Sequence, residues 1–299
     1  MRFSLWLPAH LPWRELRAAA QHVESAAGTT TWRGLWIEDH FMDNTAEPND
    51  GARGECLTQL TALASSTARL RVGSMVLGNT YRHPALVAKQ AASLSDIADG
   101  RFVLGIGAGW QENEHRAFGL PFGDVPSRIR WLRESLDVIT RLRDEDFVDH
   151  AGERYTLERA SLNPRPHADL PILVGGKGEK VMPKIVARYA DEWNFWSRPD
   201  EYARKNRIFT SALESAGRDP RSLWRTTQAF VLHGQEGAKR AAQMTRPAIG
   251  GSTAEIVDQL GSYAAAGVDE FILPVVNLRS ASEIADASDR FLAEVASRL

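Results

Sequence analysis

Residues 70–106 read LRVGSMVLGNTYRHPALVAKQAASLSDIADGRFVLGI, and this stretch sets the fold class. Leu70–Leu77 is a short apolar run and predicts a strand. Pro84–Ala98 predicts a helix. Pro84 stands in its first turn, and Val87, Ala91, Leu94 and Ala98 recur at steps of three or four. Phe102–Ile106 predicts the next strand. A strand, a helix and a strand in direct succession make a parallel unit, because parallel strands need a crossover between them.

The alternation extends outward in both directions. Phe3–Leu7, Gly34–Glu38, Pro171–Val174, Trp193–Trp196, Thr226–Leu232 and Glu270–Val275 predict further strands. Leu11–Ala27, Glu55–Thr67, Pro126–Leu142, Glu179–Ala190 and Asp200–Ala216 predict helices. So do a stretch near Gln235–Met244, then Thr253–Ala266 and Ala281–Arg298. Strands that are apolar throughout, flanked by amphipathic helices, belong to a covered parallel sheet. Eight such units predict an α/β fold of the (β/α)8 TIM-barrel type, one domain over residues 1–299. The rhythm breaks at Arg143–Leu170. There His150-Ala151-Gly152-Glu153 predicts a small hairpin and Asn163-Pro164-Arg165-Pro166 an extended connector, so an insertion is expected near 145–170. An open, doubly wound sheet is the rival architecture, and periodicity alone leaves both standing.

Composition narrows the function classes. The chain has 299 residues, 43% hydrophobic and 25% charged, which excludes a disordered chain. Its 36 basic and 38 acidic residues argue against a general nucleic-acid binder, which needs a basic surface to displace counterions. Cys56 is the only cysteine, so neither an intrachain disulfide nor a Cys-based zinc site is expected. The eight His are scattered without a His-Glu-x-x-His pattern, and no metal is expected. No apolar run reaches about 18 residues, and the first residues read as a strand, not as a signal peptide. The expectation is a cytoplasmic globular protein with no membrane partner.

A barrel of this kind places its active site at the C-terminal ends of the strands. Glu38-Asp39-His40-Phe41 follows the second strand and offers proton transfer or hydrogen bonds to a polar ligand; the alternative is a capped, solvated loop. Gly78-Asn79 follows the third strand, where the backbone could approach a ligand closely or simply turn into the helix at Pro84. Gly105-Ile106-Gly107-Ala108-Gly109-Trp110 follows the fourth. Three alternate glycines let a planar ring lie against backbone, or let strand and helix pack closely. Gln111-Glu112-Asn113-Glu114-His115 adds polar groups able to hold a ring's edge. Gly175-Gly176-Lys177-Gly178 joins a strand to a helix, and its backbone N–H groups with Lys177 suit an anion. In Asp191-Glu192-Trp193-Asn194-Phe195-Trp196 at least one aromatic is expected in the core.

These residues together resemble the bacterial luciferase-like family of flavin- and deazaflavin-dependent oxidoreductases. The matching stretches are LWIEDHF (35–41), the block from Leu70 to Phe122, PILVGGKG (171–178) and ADEWNFW (190–196). Within that family the chain is most similar to the branch that uses the deazaflavin coenzyme F420. The resemblance implies a TIM barrel, hydride transfer between coenzyme F420 and a small organic substrate, and a homodimer. It puts Asp39 and catalytic His40 at the deazaflavin ring. Gly78-Asn79 falls where the family bulges its third strand, often at a non-prolyl cis peptide. Gly107 and Asn113 are implied as cofactor contacts, and Val174, Gly175, Gly176, Lys177 and Gly178 as the phosphate loop. Trp6, Trp110 and Trp196 are the candidate walls of the substrate pocket. One departure stands out. In the sugar-phosphate dehydrogenase members a proton-handling Glu follows the glycine run, whereas here that place is Trp110, with Glu112 and Glu114 beyond it. An FMN-dependent monooxygenase of the same family is the alternative. A cofactor-binding barrel without catalysis and an NAD-dependent open-sheet dehydrogenase are more distant rivals. The latter lacks the Gly-x-Gly-x-x-Gly turn near the N-terminus.

Overall fold

The computed structural model describes residues 1–26, 32–45, 51–166 and 169–299. The first part of the chain forms β1 (Arg2–Trp6), α1 (Trp13–Ala26), β2 (Trp32–Ile37), α2 (Cys56–Ser66), β3 (Arg71–Ser74), β4 (Leu77–Gly78), α3 (Pro84–Ile97) and β5 (Phe102–Gly107). Next come α4 (Glu112–Ala117), α5 (Val125–Asp144), β6 (Val148–Ala151), β7 (Thr156–Ala160), β8 (Ile172–Gly175), α6 (Met182–Tyr189), β9 (Glu192–Trp196) and α7 (Pro199–Ser215). The last part holds β10 (Trp224–Gln228), β11 (Phe230–His233), α8 (Gly234–Gln243), β12 (Ala248–Gly251), α9 (Thr253–Ala265), β13 (Glu270–Pro274) and α10 (Ala281–Glu294). Ala27, expected at the end of the first helix, lies outside the described residues.

The main sheet is parallel and runs β3-β2-β1-β13-β10-β9-β8-β5-β4, with β3 also pairing β5. That last pairing closes the ring. Since β3 and β4 occupy one position, the ring has eight, and the fold is the (β/α)8 barrel. The open-sheet rival is thereby excluded.

Local sequence explains the elements. Every residue of β5 is buried, as expected of a strand covered on both faces. Helix α3 starts with Pro84, and the His83 side chain accepts from the Ala85 N–H. Val87, Ala91 and Leu94 then face the core. Asp124 caps α5 through the Ser127 N–H, and Leu132, Leu136, Ile139 and Leu142 are buried. The end of the barrel away from the strand C-termini is closed by charge. Glu270 takes Arg33 at 2.6 Å and Trp224 Nε1 at 2.9 Å, and Glu192 takes Arg71 at 2.6 Å. Burial, only partly offset by Arg71, raises the Glu192 carboxyl above the usual carboxylate range.

The insertion is the expected hairpin. Antiparallel β6 and β7 are anchored where Glu134 accepts the backbone N–H groups of Arg154 and Tyr155. Two expectations need correction. The run Thr226–Leu232 is not one strand. It leaves the barrel after Gln228, and β11 pairs instead with β12 in a separate two-stranded parallel sheet. Strand β12 falls outside the expected strands because its sequence, AIGG, carries little apolar signal. Its Gly250 is needed for packing: a Cβ there would lie 2.8 Å from the Gly237 carbonyl of α8. Likewise Leu70–Leu77 is split between β3 and β4, and the cis peptide joins Met75 and Val76. The break therefore falls upstream of Gly78-Asn79. It falls there because glycines opposite make room. A Cβ at Gly105 would sit 1.9 Å from the Ser74 carbonyl oxygen, and Cβ atoms at Gly107 and Gly175 would meet Val76 at 2.8 and 2.9 Å.

Candidate active site

The strand C-termini open into one cavity of about 840 Å³. Every position of the ring lines it: Trp6 from β1, Asp39 and His40 after β2, Val76 and Gly78, Gly107 of β5, Gly175 of β8, Trp196 of β9, Gln228 of β10 and Asn277 after β13. Thr245–Pro247, between α8 and β12, close one side.

Asp39 is buried and fully engaged. Arg82 grips both its oxygens at 2.7 and 2.8 Å, and Oδ2 also accepts the Gly78 N–H at 2.9 Å. Its role is to fix the backbone of β4 against the cavity. Arg82 in turn reaches Glu55 at 2.6 Å. Paired this way, Arg82 remains charged despite its burial.

His40 meets a carboxylate that sequence spacing could not assign to it. Its Nδ1 lies 2.8 Å from Oε1 of Glu114, on α4. Glu114 is fully buried; it also accepts the Tyr81 hydroxyl and, at 2.8 Å, the Phe41 N–H. Burial pushes the Glu114 carboxyl up, but the hydrogen bonds from His40, Tyr81 and Phe41 outweigh it and hold the group below the usual carboxylate range. An ionised carboxylate only accepts, so Nδ1 of His40 carries the hydrogen. Nε2 is then the atom of the ring left to exchange a proton. Glu112 is exposed and takes no part. The neighbouring His115 is buried, with Nδ1 on the Gln111 carbonyl at 2.6 Å and Nε2 on Thr80 Oγ1 at 2.5 Å, and is structural.

The glycine run does something other than expose bare backbone to a ring. Gly105, Gly107 and Gly175 let Ser74 and Val76 approach, so that Val76 rises into the cavity as a small apolar knuckle. Beside it, Gly176 has φ +153 and a Cβ there would lie 3.0 Å from Met182. Lys177 is exposed on the cavity rim, and among the described residues no carboxylate pairs with its ammonium. The loop is tied from below: Trp193 Nε1 donates to the Gly176 carbonyl at 2.8 Å, and buried Lys205 donates to the Lys177 carbonyl at 2.8 Å. A slot with an apolar knuckle on one side and a cationic glycine loop at its end fits a flat ring that carries a phosphate.

Trp6, Trp110 and Trp196 line the cavity. Trp6 donates its indole N–H to Glu38, itself held by Arg53 at 2.7 Å, which leaves the ring face toward the cavity. Its ring centroid is 5.6 Å from that of Trp196. Trp110, 55% exposed, stands edge-on to His40 at 5.4 Å. The strand period of two separates the aromatics of β9. Trp193 is buried in the helix layer and stacks on Phe209 at 3.7 Å, while Trp196 turns to the cavity.

Four expected contacts do not line the cavity: Asn79, Asn113, Val174 and Gly178. Asn113 donates instead to the carbonyls of Asp43 and Thr45 at 2.9 and 3.3 Å, securing the loop beside His40. Val174 is buried in the barrel wall, and Gly178 packs on Met182. Asn79 is buried, with its backbone N–H on the Gly107 carbonyl at 3.0 Å and its side-chain nitrogen unpartnered. Among the described residues no cluster of His, Cys, Asp and Glu could hold a metal ion, and no helix is long and apolar enough to cross a membrane.

The fold is thus a closed barrel with a histidine–carboxylate pair at its C-terminal rim. The profile of the luciferase-like monooxygenase family matches residues 1–268, and the chain belongs to that family. The F420-dependent hydroxymycolic acid dehydrogenase of Mycobacterium tuberculosis is 30% identical over 246 residues, 82% of this chain and 65% of that protein. An F420-dependent glucose-6-phosphate dehydrogenase of Kineococcus radiotolerans is 32% identical over 216 residues, 71% of this chain and 63% of that protein. The chain thus spans slightly less than two thirds of the length of these relatives. The coenzyme F420-dependent tetrahydromethanopterin reductase of Methanopyrus kandleri superposes with a TM-score of 0.79, covering 99% of each chain at 17% identity, a likeness of fold.

Proposed function

We propose that this protein is a coenzyme F420-dependent oxidoreductase that moves a hydride between the cofactor and a small organic substrate. The observation that carries the reading is His40, oriented by buried Glu114 beside a slot that ends in a glycine–lysine loop. The names of the similar dehydrogenases support the cofactor. When bound, the deazaflavin supplies a two-electron carrier with carbon in place of the flavin N5, suited to hydride transfer and poor at activating oxygen.

The residues of the chain do the rest. Gly175, Gly176 and Lys177 hold the phosphate, with Val174 and Gly178 shaping the loop. Val76, Gly78 and Gly107 support the ring through backbone that Asp39 and Asn79 keep in place. Asn113 acts through the 43–45 segment. Trp6, Trp110 and Trp196 exclude water and pack the apolar part of the substrate. His40 gives or takes a proton at Nε2 as the substrate changes oxidation state. The same reading takes residues 1–299 as one domain and the protein as a cytoplasmic homodimer without nucleic-acid binding, supported by the family resemblance and a formal net charge of −2.

Titration of the purified apoprotein with coenzyme F420 and with FMN tests this reading. Saturable F420 binding, followed by turnover of the reduced or oxidised cofactor with a substrate panel, is the expected result. Tight FMN binding with no F420 binding would refute it and favour the monooxygenase.

A further inference from the structure

Two buried carboxamides, Asn194 of β9 and Gln228 of β10, line the active-site cavity, and the chemistry described so far uses neither. In the register of the two strands Thr226 lies beside Asn194, and Gln228 beside Trp196. Thr226 and Gln228 are two residues apart, so their side chains share one face of β10.

Hydrogen bonding fixes which way each amide points. Thr226 Oγ1 donates to the Trp193 carbonyl at 3.2 Å. A carbonyl only accepts, so the hydroxyl hydrogen is committed there and Oγ1 is left to accept from Asn194. Asn194 therefore turns its nitrogen to Thr226, at 2.7 Å, and the same Nδ2 donates to Gln228 Oε1 at 2.8 Å. Gln228 presents oxygen to Asn194, so its own Nε2 points elsewhere. Flipping either amide would set donor against donor, and the polarity runs in one direction from the backbone to the cavity. Nε2 of Gln228 has no acceptor among the described residues, yet it is not one of the polar atoms sealed inside the protein. It is a donor of fixed direction that meets the cavity.

Its place in the ring says which ligand it meets. From the β3/β4 position the ring passes through β2, β1 and β13 to β10 on one side, and through β5, β8 and β9 to β10 on the other. Gln228 therefore stands directly across the barrel from Val76, the knuckle on which the flat ring is proposed to rest. Its strand neighbour Trp196 and the nearby Trp6 are walls of the same side.

We propose that Gln228 sets substrate choice: its Nε2 donates to a carbonyl oxygen of the substrate, so the protein prefers ketones, esters or amides to hydrocarbons of the same shape. Asn194 and Thr226 are positioning residues that aim this donor. The proposal rests on the reading of the cavity as the seat of cofactor and substrate. A carbonyl oxygen of the cofactor ring has the same acceptor chemistry; the position opposite Val76 favours the substrate, and the test separates the two.

The test is calorimetric titration of the whole protein, with and without oxidised coenzyme F420, using acetophenone and α-methylstyrene as probes. These have the same shape and differ in C=O against C=CH2. The wild type should bind the ketone about tenfold more tightly, the scale of one hydrogen bond to a buried donor. Gln228→Met removes the donor. Gln228→Glu keeps an oxygen toward Asn194 and puts an acceptor where Nε2 stood. The gap should close in both variants, with F420 affinity unchanged. Equal binding of the two probes by the wild type, or a gap that survives in the variants, would overturn the proposal. Weakened F420 binding in the variants would assign the donor to the cofactor ring and overturn it too. Failure of the wild type to bind F420 would overturn the deazaflavin reading alone, because the comparison of probes without cofactor still decides the role of Gln228.

Discussion

His40 and Glu114 stand 74 residues apart in the chain and 2.8 Å apart in the fold. Glu114 is fully buried, and among the described residues His40 is the one basic group paired with it, so its charge serves the imidazole. This division of labour predicts unequal losses. His40→Ala should lower kcat by about 100-fold, the usual scale of a lost acid–base group. Glu114→Gln should lower kcat by about tenfold, since the imidazole remains but its orientation is weakened. Cofactor Kd should change little in either variant. Steady-state kinetics with parallel binding titrations checks this, and a large Kd change with intact kcat would make His40 a cofactor ligand only.

The same carboxylate makes stability depend on acid. Its folded pKa is depressed, so its contribution is fully present above the ordinary carboxylate range and is lost as pH falls through the folded value. The difference in unfolding free energy between wild type and Glu114→Gln should therefore be constant from neutral pH down to that range. Below it the difference should shrink. Urea unfolding at a series of pH values from 7 to 3 measures it.

Asp39 and Arg82 form a nearly solvent-free pair, their side chains 0% and 11% exposed. Removing one partner leaves a buried charge unpaired, at a cost of about 3–5 kcal/mol. Arg82→Met should lose stability on that scale and, by freeing the Gly78 backbone, weaken cofactor binding as well. Chemical denaturation and cofactor titration of the same sample report the two effects.

Lys177→Glu should weaken cofactor binding by placing a negative charge at the proposed phosphate site, and Gly176→Trp by filling the loop. Lys177 is exposed on the rim, so thermal stability of Lys177→Glu should hold within a few degrees, whereas Gly176→Trp, at φ +153 and against buried Met182, should lose stability as well. Unchanged affinity in both variants would show that the anion site lies elsewhere.

Gly175→Ala probes the other side of the slot. Its Cβ would press on Val76 at 2.9 Å, and the neighbour at 3.1 Å is the same side chain. Overpacking of this kind costs about 1–3 kcal/mol. The variant should be less stable and bind cofactor less well, whereas Gly261→Ala adds a methyl in α9 where nothing lies within 4 Å and the backbone is helical. Comparing Tm values of the two separates packing from the general effect of losing a glycine.

What the sequence determined by itself is the architecture and the address of the site. Apolar runs, helix periods and caps such as Asp124 are local, and each constrains only its near neighbours in the chain. Their order predicted a covered parallel sheet, the hairpin of the insertion and the strand ends carrying Asp39, His40 and Lys177, but left barrel and open sheet both standing until the β3–β5 pairing closed the ring. Local signals failed where the structure is made by distant groups. AIGG at 248–251 becomes a strand only because α8 and β11 pack against it. The break in the third strand falls at Met75–Val76 because Gly105, Gly107 and Gly175, on two other strands, leave space for it. The six-residue α4 is too short for a period to be read, yet it delivers Glu114 to His40. Only the tertiary structure decided which acid partners the histidine, that Asp39 is occupied by Arg82, and that Asn113 holds a loop. The physical reason is the same in each case: hydrogen bonds and close packing depend on distances across the barrel, and no spacing along the chain encodes those distances.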